Sequence, residues 1–333
     1  MSDSAASTIR SMQTIKPIRA KNNLLEVVAH GELLIDFVST KPGVGLEEAT
    51  FFAKSAGGAP ANVAVGLARL GVKTAFMGKV GDDEFGRFLA STLRRNGVDI
   101  GTLRFERRAK TALAFVALQA DGEREFAFYR SSSADMLFAQ HEVDVELLRR
   151  ARIFHFGSVS LASEPSRSAA LHAASLARQN GLMVSFDPNL RLNLWPGESA
   201  ARSGIEQGWR EAHLVKLSAD ELTFLTGETD VERGVRKVPV TDLLVVTLGE
   251  RGCFYVAGDE RGYTRGFPVH CRDTTGAGDG FMAGLLAGLL GRVGCRDIFA
   301  ALRLANAVGA LVTTKRGALP AMPSLRQVSR LLR

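Results

Sequence analysis

Residues 60–77 read PANVAVGLARLGVKTAFM, a helix pattern followed directly by a strand pattern. Residues 60–70 are apolar on nearly every side, which is typical of a helix buried all round. Pro60 suits the first turn of this helix, and Gly71 suits the position after its end. Residues 74–77 then form a short apolar run, as in a buried strand. The stretch therefore predicts one helix and one strand of a βαβ unit.

The same alternation continues on both sides of this unit. A strand pattern precedes it at residues 24–29, and a helix pattern follows between Asp82 and Gly97. Later strands are expected at 153–156, 183–186, 214–217 and 243–247, and closing helices at 278–290 and 297–312. This order predicts an α/β fold whose central, mostly parallel sheet is flanked by helices. We expect a single domain over residues 23–333.

One segment interrupts the alternation. Residues 111–118 and 125–129 are rich in β-forming residues and flank Asp121-Gly122, a strong hairpin signal. Residues 37–56 are the expected partner of this hairpin. We therefore predict a small β-sheet lid, built from about 37–56 and 110–130, that covers one end of the main sheet.

The composition is that of an ordinary globular protein. Of the 333 residues, 46% are hydrophobic and 23% charged, and no apolar run approaches the roughly 20 residues that a membrane span needs. Three scattered cysteines disfavour a disulfide framework or a zinc site, so we expect a cytoplasmic protein with no membrane partner. The net charge of +7 comes without a dense basic run, which disfavours nucleic acid and favours a small anionic ligand.

The N-terminal residues 1–22 differ from the rest of the chain. They are basic, rich in Ser and Thr, and without hydrophobic periodicity. They also lack the apolar centre of a secretory signal. We predict a disordered extension, and a mitochondrial-type transit peptide, which shares the Arg/Ser bias, stays open.

The most informative segment is DTTGAGDG at residues 273–280, which opens the helix expected at 278–290. Its small residues let several backbone N–H groups point to one spot at a helix N-terminus, where an anion is stabilised. Asp279 lies among these donors, although a carboxylate repels phosphate. The combination fits phosphoryl transfer, in which Asp279 takes a proton from a hydroxyl while the N–H groups stabilise the transferring group. A glycine turn whose Asp caps its own helix is the alternative.

A second glycine turn, GGAPAN at residues 57–62, also leads into a helix. Its glycine pair lets a ligand approach the backbone, and the Asn62 amide can donate to and accept from a sugar hydroxyl. A tight turn without a ligand is the alternative. Neither turn carries the Gly-Lys-Ser/Thr of a P-loop or the spaced glycines of a dinucleotide site, so a nicotinamide oxidoreductase is disfavoured.

Together the two turns resemble those of the ribokinase-like (phosphofructokinase-B type) carbohydrate kinases, and the resemblance covers residues 25–320. It implies a mostly parallel sheet with a β lid, and ATP-dependent phosphorylation of a sugar. On matching positions it implies a catalytic base and an anion hole at Asp279 and at the N–H groups of Gly276, Ala277 and Gly278. It also implies a sugar site at Asp36, Gly57, Gly58 and Asn62.

The resemblance further implies where ATP and metal ions bind. The nucleotide-binding positions are Lys216, Thr247, Gly249, Gly252 and Asn306. Glu221, in a motif whose usual Asn is here Ser218, is expected to help hold Mg²⁺, and residues 218–221 can equally form a helix capping box. A monovalent cation, K⁺, is expected at Asp273, Thr275, Val312, Lys315 and Gly317.

Two segments resemble the fructokinases of this family: DPNLRLNLWP at 187–196 and EFAFYR at 125–130. Arg191 and Arg130 within them are candidate sugar ligands. We therefore expect transfer of the ATP γ-phosphoryl group to fructose, forming fructose 6-phosphate. Because an Arg also suits a carboxylate, a 2-keto-3-deoxygluconate kinase stays open, as does an aminoimidazole riboside or ribose kinase. An inactive kinase-fold binding protein is the alternative of a different class, and lid edges that pair in this family leave a homodimer open.

Overall fold

The computed structural model describes residues 25–118 and 124–333 of the chain. The strands within these ranges are β1 (Val27–His30), β2 (Leu34–Ser39), β3 (Phe52–Gly57), β4 (Thr74–Gly81), β5 (Leu103–Glu106), β6 (Leu113–Leu118), β7 (Arg124–Tyr129), β8 (Ile153–Gly157), β9 (Met183–Asp187), β10 (Leu214–Ser218), β11 (Leu243–Thr247), β12 (Cys253–Ala257) and β13 (Glu260–Thr264).

The helices in the described part of the chain are α1 (Ala59–Arg69), α2 (Glu84–Arg95), α3 (Val145–Arg149), α4 (Ser166–Gln179), α5 (Glu198–Glu211), α6 (Ala219–Thr226), α7 (Val231–Gly234), α8 (Ala277–Leu289), α9 (Ile298–Thr313) and α10 (Leu325–Leu331). Short 3₁₀ turns connect several of them, at Ala134–Leu137, Gln140–Glu142, Val159–Leu161, Leu192–Leu194, Gly249–Arg251, Arg292–Gly294 and Leu319–Ala321.

The main sheet has the strand order β13-β12-β11-β10-β9-β8-β1-β4-β5. The strands from β11 to β5 run parallel, whereas β12 and β13 are antiparallel at one edge. The central strands are apolar because both faces of the sheet are covered, and every residue of β4 is buried. One face packs against α1, α2, α8, α9 and α10, and the other packs against α3 to α7.

The closest helix pair in the fold is α8 with α9, and small residues allow it. A Cβ on Gly284 of α8 would lie 2.8 Å from the Cα atom of Ala305 on α9, and one on Gly288 would lie 2.7 Å from that of Ala301. Larger side chains at these positions would force the helices apart. The glycines therefore fix the position of α8 and, with it, the position of its N-terminal turn.

A second sheet of four strands, in the order β3-β2-β6-β7, lies outside the main sheet. Its β2 pairs antiparallel with β3 and parallel with β6, which in turn pairs antiparallel with β7. Phe37 on β2 and Phe115 on β6 stack with ring centroids 5.1 Å apart and form part of its aromatic face. The four strands come from the two segments that the sequence predicts for a small β layer.

The predicted α/β fold is confirmed, with local differences. The helix pattern at 60–70 is α1, and β4 extends the predicted strand at 74–77 to Gly81. The strands β5 and β13 were not predicted, because these short segments are partly exposed and show no continuous apolar run. The strand β12 was missed although its sequence, CFYVA, is an apolar run that is almost wholly buried. Residues 1–22 and the turn residues Asp121-Gly122 lie outside the described part of the chain. None of the helices within it is long and apolar enough to cross a membrane.

Candidate active site

Two cavities meet at the first turn of α8, on the edge of the main sheet where its parallel strands end. The larger, of about 810 Å³, lies beside Thr247 at the end of β11. The smaller, of about 90 Å³, lies between the main sheet and the four-stranded sheet. Gly278 lines the larger cavity and Asp279 lines the smaller one. Ligands of open α/β sheets bind at this edge, so both cavities are candidate ligand sites.

Asp279 lies in the first turn of α8 and is buried, with 6% of its surface exposed. Its Oδ2 accepts a hydrogen bond from the Asn62 amide at 2.8 Å, and its Oδ1 accepts one from the Asn189 amide at 3.1 Å. Burial raises the pKa of this carboxyl, while the Asn62 hydrogen bond and the nearby charges of Lys216 and Arg191 oppose the shift. A carboxylate with a raised pKa at a cavity wall is suited to accept a proton.

The turn that leads into α8 depends on Gly276. This residue caps the helix with a left-handed φ of 77°, and a Cβ on it would lie 2.5 Å from the Cβ of Ala318. The N–H group of Ala277 donates to the Thr274 carbonyl at 3.2 Å. The N–H groups of Gly276 and Gly278 stand where a helix offers no carbonyl of its own. They provide an electropositive end between the two cavities, as expected of an anion hole.

Asp36 reaches the smaller cavity from the middle of β2, where it is paired with Ser55 of β3. Burial raises the pKa of its carboxyl to about 7; the Arg191 charge opposes the shift and the Asp279 charge adds to it. A Cβ on Gly57 would overlap the Asp36 carboxylate, so a glycine is required there. Asp36 is thus held over the GGAPAN turn at residues 57–62, in the interior of a strand.

The remaining predicted sugar ligands on this wall are Gly58 and Asn62 from the α1 turn. Gly58 has φ 109°, and a Cβ on it would overlap the carbonyl oxygen of Glu32. Asn62 is 5% exposed and donates to Asp279, whereas its Oδ1 has no hydrogen-bond partner within residues 25–118 and 124–333. The amide therefore presents an acceptor to the cavity.

Arg191 lies opposite this wall and is half-buried. Its guanidinium donates to the backbone carbonyls of Asn189 and Leu190 at 3.3 and 3.0 Å. It also lines the smaller cavity and lies 5.8 Å from the ring centroid of Phe126. Phe128 stacks on Phe126 and lines the same cavity. The four-stranded sheet thus closes this cavity with aromatic side chains.

Arg130, a predicted sugar ligand, is held elsewhere in the structure. Its guanidinium is buried, donating to Asp135 at 2.6 Å and to the Val159 carbonyl at 3.3 Å. It does not belong to the lining of the smaller cavity. The buried Asp135 carboxylate requires a positive partner, and Arg130 supplies it.

The smaller cavity has further lining residues that the sequence analysis did not name as site residues, among them Asn189, Glu32 and Phe126. Asn189 has φ 44°, a conformation that Asn tolerates better than most residues, and this directs its amide to Asp279. Glu32 follows β1 directly, and burial raises the pKa of its carboxyl to about 7. Phe126 was quoted only as part of a segment. Of these, only Glu32, an acid shortly after an apolar strand, gave a signal in sequence, because the φ of Asn189 is seen only in the structure.

The larger cavity gathers the predicted nucleotide positions except Lys216. Thr247, Gly249 and Gly252 line it from the end of β11, and Asn306 lines it from α9. The Asn306 amide is buried and donates to the carbonyls of Thr264 and Arg265 at 3.2 and 3.3 Å. The cavity is therefore a mixture of flexible glycine backbone and a fixed polar group, which suits a nucleotide.

Lys216 is bound inside the protein instead of extending into the larger cavity. Its ammonium donates to both carboxylate oxygens of Asp187, at 3.0 and 3.1 Å. Burial lowers the pKa of Lys216, but the Asp187, Glu221 and Asp279 carboxylates outweigh it and leave the pKa raised. A Cβ on Gly278 would lie 3.0 Å from the Lys216 Nζ atom. The expected direct phosphate contact is therefore corrected to a positive charge beneath the α8 N-terminus.

Both carboxylate oxygens of Glu221 accept hydrogen bonds from backbone N–H groups. Oε1 accepts from the Leu190 N–H and Oε2 from the Ser218 N–H, each at 2.7 Å. The Ser218 hydroxyl accepts from the Glu221 N–H at 3.1 Å, so the capping box is formed. In the described ranges no group of three or more acidic, His or Cys side chains could hold a metal ion. One carboxylate with spare lone pairs fits contact with Mg²⁺ through water, since Mg²⁺ keeps several waters.

The predicted monovalent-cation residues are brought together by Asp273. Its Oδ1 accepts from the N–H and hydroxyl of Thr275 at 2.8 and 2.6 Å, and its Oδ2 accepts from the Gly317 N–H at 2.8 Å. The Val312 carbonyl accepts from the Lys315 N–H at 3.3 Å. Asp273 thus ties the loop before α8 to the loop after α9, next to the anion-hole turn.

A base among helix N-terminal donors, between a large and a small cavity, defines a kinase that phosphorylates a small hydroxyl compound. The chain belongs to the pfkB family of carbohydrate kinases, whose model matches residues 24–325. It is 51% identical over 313 residues to fructokinase-1 of rice, across 92% of this chain and 97% of the rice protein.

Two solved structures support the same family. The Xylella fastidiosa fructokinase with bound ATP has a TM-score of 0.82 and 36% identity, over 92% of this chain and 98% of that one. The Vibrio cholerae O395 fructokinase with fructose, ADP and calcium ion has a TM-score of 0.83 and 34% identity, over 93% and 99%. The predicted family is therefore confirmed.

Proposed function

We propose that the protein is an ATP-dependent fructokinase, which transfers the γ-phosphoryl group of ATP to the 6-hydroxyl of fructose. The observation that carries this proposal is the buried Asp279, which lies where the two cavities meet and accepts hydrogen bonds from two amides. In this function the smaller cavity binds the sugar and the larger one binds ATP.

Asp279 accepts the proton of the sugar hydroxyl as that oxygen bonds to phosphorus. Asn62 and Asn189 hold the two carboxylate oxygens, so the base keeps one orientation. The N–H groups at the start of α8, with the Lys216 charge beneath them, stabilise the negative charge of the transferring group. The four-stranded sheet acts as a lid that excludes water, which would otherwise compete as the acceptor.

Mg²⁺, when bound with ATP, neutralises phosphate charge. Glu221 is proposed to contact it through water. Asp273 holds the loops around the proposed K⁺ site, so the cation would order the turn of the anion hole. Thr247, Gly249, Gly252 and Asn306 are proposed to contact the nucleotide.

The charge of the smaller cavity favours a neutral sugar. Above about pH 7, where burial no longer keeps Glu32 and Asp36 protonated, the carboxylates that line it exceed the single positive charge of Arg191. A sugar acid such as 2-keto-3-deoxygluconate would meet a surplus of carboxylates, which argues against that alternative. Fructose carries no charge, and the rice, Xylella and Vibrio relatives are fructokinases.

The remaining parts of the proposal concern context. We propose one kinase domain over residues 23–333, preceded by an N-terminal extension, in the cytoplasm and without nucleic-acid or membrane partners. A homodimer through the lid is supported by Tyr129 on the edge strand β7, which is 66% exposed. Sedimentation of the protein tests it, since a monomer at micromolar concentration would contradict a stable dimer.

The test of function is a coupled ADP-release assay over fructose, ribose, aminoimidazole riboside and 2-keto-3-deoxygluconate. We expect the highest kcat/KM for fructose. A higher kcat/KM for another sugar would overturn fructose as the substrate and leave the kinase activity standing. No ADP release with any sugar would overturn the proposal that the protein is a kinase. Asp279→Asn, purified in the same way, measures the background from contaminating kinases.

A further inference from the structure

Glu32 combines burial, a place in the sugar cavity and an unused acceptor. It lies between β1 and β2, is 4% exposed and lines the smaller cavity. Its Oε1 accepts from the Ala59 N–H at 2.8 Å, at the start of α1. Its Oε2 has no hydrogen-bond partner among the residues that the structure describes. Buried acceptors without a donor are uncommon in folded proteins, so this oxygen requires an explanation.

The Glu32 backbone N–H also acts on this carboxyl, but no other residue in the described ranges supplies a donor to Oε2. Arg130 is close enough to act on it electrostatically, but its guanidinium is committed to Asp135 and the Val159 carbonyl. Asn62, one helical turn after Ala59, adds a second buried acceptor, because its Oδ1 is also unpartnered in the described ranges. This wall of the cavity therefore carries two acceptors and lacks donors. A hydroxyl group is a donor that can serve either of them.

We propose that Glu32 is a further sugar-binding residue, whose Oε2 accepts a hydrogen bond from a hydroxyl of fructose. The proposal rests on the proposed fructokinase activity. Asp36 faces the same cavity from the Gly57 side, so the two carboxylates address different hydroxyls. Glu32 takes no part in proton transfer, and its contribution is to binding and to the choice of sugar.

The test is Glu32→Gln, which keeps an oxygen for the Ala59 N–H and replaces the unpartnered oxygen by an NH₂ donor. At pH 8.5, where the Glu32 carboxyl with its pKa of about 7 is ionised, we expect the KM for fructose to rise roughly 10- to 100-fold, the cost of losing a hydrogen bond to a charged group. We expect kcat and the KM for ATP to change less than about threefold, because the base and the nucleotide cavity are untouched. A wild-type KM for fructose would overturn the proposal, leaving Glu32 as a helix cap only.

Deoxyfructoses identify the hydroxyl. One deoxyfructose lacks the hydroxyl that Glu32 binds. With this sugar the wild-type KM should rise by the same factor as the Glu32→Gln substitution causes, and the KM of Glu32→Gln should not rise further. Equal losses in both proteins for every deoxy sugar would overturn the proposal. If Glu32→Gln does not fold, Glu32→Asp is the second variant. It keeps the charge but draws the carboxylate back from the sugar, so the KM for fructose must rise by the same factor.

The matched control is Glu142→Gln. Glu142 also binds a backbone N–H, that of Ala139 at 2.8 Å, but pairs with Lys79 outside both cavities. Its KM for fructose must stay at the wild-type value, and a similar rise in KM would show a general effect of losing a buried carboxylate. Absence of fructose phosphorylation by the wild type would instead refute the proposed function, which separates the two failures.

Discussion

Replacing Asp36 by Asn should stabilise the ligand-free protein in alkaline solution while weakening its activity. Burial raises the pKa of Asp36 from 3.8 to about 7. The folded state therefore holds this proton more tightly than the unfolded state does. Stability from the protonated form is present in acid and is lost as pH rises from about 4 to about 7. Asn does not titrate, so the variant escapes this loss.

The magnitude follows from the difference between the two pKa values. About three pKa units correspond to about 4 kcal/mol above pH 7, as an upper limit. Because the Asp36 side chain is only half-buried, solvent screening reduces this to about 2 kcal/mol. At pH 5 the difference falls below about 1 kcal/mol, because the pH is then only about one unit above the unfolded pKa of 3.8 and the folded state still holds its proton. For a chain of this length, about 2 kcal/mol raises Tm by about 3 °C.

The assay is thermal melting of wild type and Asp36→Asn at pH 5 and pH 8.5, without sugar or ATP. The Tm difference in favour of the variant must grow with pH. Asp259→Asn, in the exposed turn between β12 and β13, is the control and should shift stability by less than about 0.5 kcal/mol at either pH. A variant that melts below the wild type at pH 8.5 would refute the reasoning, because the buried charge would then be net stabilising.

Three further predictions concern the two cavities. Asp279→Asn removes the base, so we expect kcat to fall at least 10²-fold, while the Kd for ATP, measured by calorimetry, stays nearly unchanged. A variant that keeps more than about a tenth of the wild-type kcat would exclude proton transfer by Asp279. Glu221→Gln should raise the Mg²⁺ concentration for half-maximal rate more than the KM for fructose, and an unchanged Mg²⁺ titration would leave Glu221 as the α6 cap. Gly57→Ala displaces Asp36, so the KM for fructose should rise about tenfold or more. Gly197→Ala, whose added methyl meets nothing within 4 Å, is its control, and equal kinetics in both would contradict the contact.

The sequence predicted the interior of the fold better than its edges. The parallel strands around β1 are covered on both faces, so their residues form apolar runs that stand out. The edge strand β13 alternates exposed and half-buried residues, and its order beside β12 comes from tertiary pairing. Asp36 illustrates the same limit, because it precedes the lid segment predicted at about 37–56 yet lies inside β2 of that sheet.

The site was predictable where backbone chemistry constrains the sequence. The glycine turns at 57–62 and 273–280 predict the turns that lead into α1 and α8. The structure places the Asn62 amide nitrogen 2.8 Å from Oδ2 of Asp279. The partners of charged residues were not predictable, because they depend on which groups the fold buries together. Arg130 has the right charge for a sugar ligand, yet its guanidinium forms an ion pair with the buried Asp135. Lys216 is likewise held by Asp187.

The four-stranded sheet contributes Asp36, Phe126 and Phe128 to the smaller cavity, and in residues 25–118 and 124–333 it contributes nothing to the larger one. In evolutionary terms, the part of acceptor choice that lies in this sheet is therefore encoded apart from nucleotide use, whereas the turn at residues 274–281 lines both cavities. After a duplication, substitutions confined to the residues of this sheet can alter the acceptor sugar while the strand ends and α9 continue to hold the same nucleotide. The same fold can thus come to accept different sugars while its nucleotide-binding cavity stays unchanged.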